Sequence, residues 1–140
     1  MGVFTRTVNL GGYDGNDAGS GSYNQYGYDL VPRNKRVTLR LADSNPYQEE
    51  LRRLSAVHDL QAFISPRTVE EERTDATIAV RLFAESRMSS IVGFVPRGLE
   101  PLVLDAISRL DRASRSTRMP AAIVSTRHGL RIDLLMGQTR

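Results

Sequence analysis

From residue 37 onward the chain falls into short blocks of regular hydrophobic period. Val37-Thr38-Leu39-Arg40-Leu41 alternates apolar and polar side chains, as a strand with one buried face does. Asn45-Pro46-Tyr47-Gln48 reads as a helix start, with Asn45 as N-cap, Pro46 at the first helical position and Gln48 completing a capping-box-like spacing. Tyr47, Leu51 and Leu54 share one face of that short helix, and Glu49 and Arg53 are spaced to pair on its outside. Residues 60–64 predict a second strand, ended by Pro66. Residues 69–75, with Glu70, Glu71 and Glu72, read as a polar loop.

Two further strands are expected at 77–83 and 91–95, joined by residues 85–90. Leu99, Leu102, Val103, Ala106, Ile107 and Leu110 make one apolar stripe at helical spacing, with Pro101 tolerated in the first turn. Residues 112–118 form a loop carrying Arg112, Arg115 and Arg118. The chain closes with a hairpin, 121–125 and 130–136, turning at Arg127-His128-Gly129. In its last strand Leu130, Ile132, Leu134 and Met136 should face inward, Arg131 and Asp133 outward. The order β-α-β-β-β-α-β-β lacks a βαβ rhythm. It predicts an α+β domain: a small curled antiparallel sheet, or an OB-like or SH3-like barrel, of about six strands with two short helices.

Composition divides the chain near Leu30. Residues 1–31 read as a Gly/Ser/Tyr-rich N-terminal arm and 32–140 as the folded domain. The arm holds four of the five tyrosines, Tyr13, Tyr23, Tyr26 and Tyr28, among glycines too numerous to bury much surface. Tyrosine combines a large contact area with few rotors, so such an arm is expected to order against a partner or a second subunit. Gly11-Gly12-Tyr13-Asp14-Gly15-Asn16-Asp17 has the look of one glycine–aspartate calcium repeat, but such repeats work only when stacked in series.

Charge narrows the function classes. The net charge is +3, and eighteen of the nineteen basic residues are arginine, with Lys35 the exception. A guanidinium fork suits phosphate, so an Arg-rich surface is compatible with nucleic acid. Arg112, Arg115, Arg118 and Arg127 are the candidate phosphate patch. The chain has no cysteine, which excludes disulfides, thiolate metal sites and cysteine nucleophiles. His58 and His128 lie in separate loops without further ligands at coherent spacing, so no metal and no cofactor is assigned. There is no nucleophile-elbow pattern and no phosphate-binding Gly-Lys-Ser/Thr loop, and the expectation is a non-enzyme. No apolar run reaches the ~20 residues of a membrane span, and the start of the chain lacks a secretory signal pattern. A cytoplasmic protein is expected, or a virion component if it travels in a particle.

Residues 39–54, Ile78-Ala79-Val80-Arg81-Leu82, Val92-Gly93-Phe94-Val95-Pro96-Arg97 and Gly129-Leu130-Arg131-Ile132-Asp133-Leu134 together resemble the HIRAN domain across about residues 37–136. The Val-Gly-aromatic-Val-Pro-Arg piece, after a strand and before a helix, is the best single signal. The resemblance implies an OB-like barrel that captures single-stranded DNA, in its best-known members at a free 3′ end. It implies that Tyr47 offers a ring to a base or sugar, that Phe94 lines the pocket and that Arg97 reaches a phosphate. The family's Asn-Pro-Tyr/Phe-Asp-x-Asn-Ala-Val run is replaced here by Glu72-Arg73-Thr74-Asp75-Ala76-Thr77-Ile78, which displaces the Asp by about one position and loses the Asn. The functional expectation is a non-catalytic module for single-stranded DNA or DNA ends. Its rival is a structural or assembly protein, a phage-particle component or homo-oligomer, that uses the tyrosine arm for subunit contacts.

Overall fold

The structure, a computed structural model, describes residues 17–65 and 67–140. Tyr13, the glycine-rich run before Asp17 and Pro66 lie outside the described residues. The fold is α+β, with six antiparallel strands and three helices among the described residues: β1 Leu39–Arg40, α1 Gln48–Leu54, β2 Gln61–Ile64, α2 Val69–Arg73, β3 Ala79–Ala84, β4 Arg87–Phe94, α3 Glu100–Arg112, β5 Met119–Thr126 and β6 Gly129–Leu134. Single 3-10 turns stand at Asn45–Tyr47 and Met136–Thr139.

Sheet order is β1-β6-β5-β2-β3-β4. The sheet curls until its two ends meet, because Ala42 and Phe94 exchange both backbone hydrogen bonds, at 2.8 and 2.9 Å. This closure explains Gly93. A Cβ there would lie 3.0 Å from Ser44 Oγ and 3.1 Å from the Ala42 carbonyl oxygen. The inner face is filled by Leu39, Leu41, Val80, Leu82, Val92, Ile132 and Leu134, each with essentially no exposure. Burying one such side chain contributes roughly 1.5–3 kcal/mol. Leu51 and Leu54 of α1, and Leu102, Val103, Ala106 and Leu110 of α3, complete the core.

Several expectations change. Residues 69–73 form a helix, not a loop, and Thr68 and Glu71 supply a reciprocal capping box at its start. Asn45 does not cap α1. The backbone N–H groups of Ser44 and Asn45 both donate to the Asp17 carboxylate, at 2.7 and 2.8 Å. Gln48 turns to β6 instead, accepting from Leu130 N at 2.8 Å and donating to Leu130 O at 3.0 Å. Arg53 pairs with Glu50 rather than Glu49. Strand β4 begins at Arg87, so the expected 85–90 connection shrinks to a two-residue turn, Glu85-Ser86.

Arg131 is the largest fully buried side chain, not an outward one. It does stand on the face opposite Ile132, but Asp17 covers that face, with Arg131 Nε 3.6 Å from Asp17 Oδ1. The guanidinium also donates to the carbonyls of Leu130 and His128.

Residues 17–31 run along the barrel. Ser20 bridges Arg40, and Gly19, at φ 76°, packs so closely that a Cβ would strike Pro96 and the Arg40 carbonyl. Tyr26 is 2% exposed and belongs to the core.

Candidate nucleic-acid interface

The outward face of β2, β3 and β4 follows from strand alternation. In β3, Val80, Leu82 and Ala84 point into the core, so Ala79, Arg81 and Phe83 point away. Residues directly opposite one another in an antiparallel pair share a face. Phe63 opposes Arg81, and Arg81 opposes Ile91. Gln61 opposes Phe83, which opposes Met88, and Ala79 opposes Phe94. One solvent-side surface therefore carries Phe63, Phe83 and Phe94 around Arg81.

None of these three rings belongs to the core cluster, whose one aromatic residue is Tyr26. Apolar side chains scattered singly on a surface need no explanation, but every described phenylalanine sits on this one face. Arg118, at the end of the loop before β5, lays its guanidinium over the Phe83 ring, 4.0 Å from the centroid. Such a cation–π contact is worth about 0.5–1 kcal/mol where solvent reaches it. Neither Arg81 nor Arg118 has a carboxylate partner among the described residues. Flat rings beside unneutralised guanidinium groups match what a single strand offers, bases to stack and phosphates to neutralise.

The other residues read from the sequence are dispersed. Tyr47 packs against the core. Arg97 is engaged by Asp75, with Nη1 3.1 Å from the carboxylate and donating to the Asp75 carbonyl at 2.6 Å. Arg67 approaches the same carboxylate at 3.2 Å. Arg112 donates to Ser108 Oγ, while Arg115 holds the carbonyls of Gln138 and Arg140. Arg127 is exposed at the β5–β6 turn. Of the basic loop, only Arg118 meets an aromatic ring. Tyr23 donates its hydroxyl to the Gly98 carbonyl at 2.7 Å, and Tyr28 is fully exposed.

No family model matches the chain, and no curated protein or solved structure matches it either.

A cleft of about 350 Å³ lies beside the barrel closure, lined by Ala18, Ala42, Asp43, Thr77, Val95 and Arg97. Burial, with the neighbouring Asp17 carboxylate second, raises the Asp43 carboxyl above its ordinary value. The acidic face of α2 turns outward, and Glu70 pairs with Arg73 on it. Among the described residues no group of three or more His, Cys, Asp or Glu side chains is placed to hold a metal ion. No described helix is long and apolar enough to cross a membrane. Phe63, Arg81 and Phe83 of this outward face were not singled out from the sequence. The available signal was a cationic and an aromatic side chain, Arg81 and Phe83, at two successive outward positions of a strand whose inward positions were already filled.

Proposed function

We propose that this protein is a non-catalytic module that binds single-stranded nucleic acid, as its resemblance to HIRAN domains implied, through the outward face of β2, β3 and β4. The observation that carries the reading is the Arg118 guanidinium stacked on Phe83, with Arg81 beside Phe63 in the next rung. Bases stack on Phe63, Phe83 and Phe94 or on the guanidinium planes, and phosphates meet Arg81 and Arg118. Stacking is worth about 1–3 kcal/mol per base and tolerates any sequence, because every base has a π face. A duplex hides those faces. Phosphate neutralisation releases counterions, so affinity falls steeply with salt.

The test is a fluorescence-anisotropy titration with labelled deoxythymidine oligomers, free or blocked at the 3′ end, and a duplex of equal length. Salt-sensitive binding that prefers the single strand supports the reading. Absence of binding at low salt overturns it. Equal affinity for free and blocked ends identifies the strand, rather than its terminus, as the ligand.

One observation favours the rival role in assembly. Tyr28 projects from a turn closed by Gly27 N to Val31 O at 2.8 Å and Leu30 N to Gly27 O at 2.9 Å. An exposed ring on an ordered turn binds with little ordering cost. Removing residues 1–30 would also remove the buried Tyr26, so Tyr28→Ser on a sizing column is the cleaner test. A concentration-dependent oligomer lost in that variant supports assembly.

A further inference from the structure

We infer that Gln61 reads the hydrogen-bonding edge of a base held against Phe83 and Arg118; this rests on the reading under Proposed function and deepens it. Strand β2 lies between β3 and β5 in the sheet order. Gln61 is paired on both sides, with Phe83 of β3 and Pro120 of β5. Directly opposed residues share a face, so Gln61, Phe83 and Pro120 form one outward rung. Burial agrees, because Gln61 and Phe63 are partly exposed where Ala62 and Ile64 are buried. Phe63 stands two positions along β2 on the same face, and the Arg118 guanidinium lies over Phe83.

Gln61 supplies what rings and guanidinium groups lack. A phenylalanine ring carries no polar atom and a guanidinium only donates, whereas a carboxamide has an acceptor oxygen beside two donor hydrogens. Among the residues that the register places on this face, Gln61 is the one with such a neutral, two-way side chain. That carboxamide makes no hydrogen bond among the described residues. Gln48 is the contrast. Its carboxamide donates to the carbonyls of Ser44 and Leu130 and accepts from Leu130 N, which holds α1 to β6. Gln61 ties no elements together through its side chain, although pairing on both sides fixes its backbone.

Bases offer a donor beside an acceptor on their edges: N4–H beside N3 in cytosine, N3–H beside O4 in thymine. A carboxamide complements either pattern by turning over about its last bond. Phe83 and Arg118 take the flat face of the base. The residue one strand away, with its Cβ about 4.5–5.5 Å from that of Phe83, is placed for the edge. Gln61 therefore senses that a base is present without choosing which one. A bare sugar–phosphate chain gives it nothing to bind.

The experiment measures low-salt anisotropy with three labelled hexamers: deoxythymidine, deoxycytidine and an abasic chain of the same backbone. The proteins are the full chain, Phe83→Ala, Gln61→Met and Gln61→Glu, each checked for folding by circular dichroism. Gln61→Met keeps the length of the side chain and removes its hydrogen bonding. It is expected to bind the deoxythymidine hexamer about five- to tenfold more weakly and the abasic chain as the full chain does. Gln61→Glu can only accept, so it favours cytosine, with its amino group, over thymine. The deoxycytidine-to-deoxythymidine affinity ratio should rise about fivefold, and the added charge cancels in that ratio. Suppose the full chain binds and Phe83→Ala weakens it, while Gln61→Met matches wild type on deoxythymidine or loses equally on the abasic chain. The inference is then overturned and the aromatic reading stands. If the full chain binds none of the hexamers, both fall together.

Discussion

The Asp17 carboxylate accepts the backbone N–H of Ser44 at 2.7 Å across 27 residues of sequence. Its second oxygen takes the Asn45 N–H, and its first lies 3.6 Å from the buried Arg131 guanidinium. One side chain thus starts the turn into α1, offsets a charge beside β6 and fastens the segment before β1 to the barrel.

Asp17→Ala removes two charge-assisted hydrogen bonds and a carboxylate beside a buried cation. Each such bond contributes about 1.5–3 kcal/mol. The variant is expected to lose roughly 3 kcal/mol or more, read as a lower urea midpoint. Asp17→Asn, with one acceptor oxygen, should fall between the two. An unchanged midpoint for Asp17→Ala rules out the anchoring role.

Gly93→Ala places a methyl group against Ser44 Oγ, the Ala42 carbonyl and Leu41 Cβ, at 3.0, 3.1 and 3.3 Å. Overpacking of this kind costs about 1–3 kcal/mol. The strain falls where the sheet closes, so thermal unfolding should shift down by several degrees. Gly98→Ala is a different experiment. A Cβ at Gly98 meets nothing within 4 Å, but φ is 91°, so any cost there is conformational.

Phe83→Ala and Phe63→Ala are expected to weaken single-strand binding about 5- to 150-fold each, the range that follows from 1–3 kcal/mol of stacking. Neither ring belongs to the core cluster, so stability should change far less than for a core phenylalanine. Arg118→Ala should lower both affinity and salt slope, whereas Arg118→Lys keeps the charge and loses the flat stacking plane. Equal affinities for Arg118→Ala and wild type would remove this face from consideration.

Tyr26 yields a pH test. Burial pushes its phenol up to about 12, with the Arg109 charge opposing the shift. An unfolded tyrosine ionises near pH 10. Between those values the unfolded chain releases the proton first. The contribution of Tyr26 is therefore complete below about pH 10 and lost as pH climbs to about 12, a difference of roughly 3 kcal/mol. Tyr26→Phe should flatten the fall of stability over that window. Its hydroxyl is buried without a hydrogen-bond partner, so at neutral pH the same variant should be neutral or slightly stabilising. Urea midpoints from pH 8 to 12 for both proteins decide the matter.

Much of the barrel was legible along the chain because its information is local. Period-two alternation located β1, β3 and β6, and period-3.6 spacing located α3. Helix α2 was legible too. Thr68 and Glu71 stand at capping-box spacing, but the three consecutive glutamates drew the segment toward a loop reading. Arg131 was misjudged for another reason. Alternation reports which side of a strand a residue occupies, not whether another segment covers that side. Arg97 and Asp75 lie 22 residues apart, and their contact depends on the path of the chain between them.

The sequence by itself determined an α+β class, the approximate strands and helices, and the absence of cysteine chemistry, because side-chain period and residue type act over a few residues. Only the tertiary structure decided that Asp17 holds the backbone N–H groups of Ser44 and Asn45 at the turn before α1, that Arg131 is buried, and that Phe63 and Phe83 share an outward face where Arg118 lies over Phe83. Those outcomes depend on which strands become neighbours and in what register. Register is settled by many distant residues burying surface together, and no short window of sequence contains it.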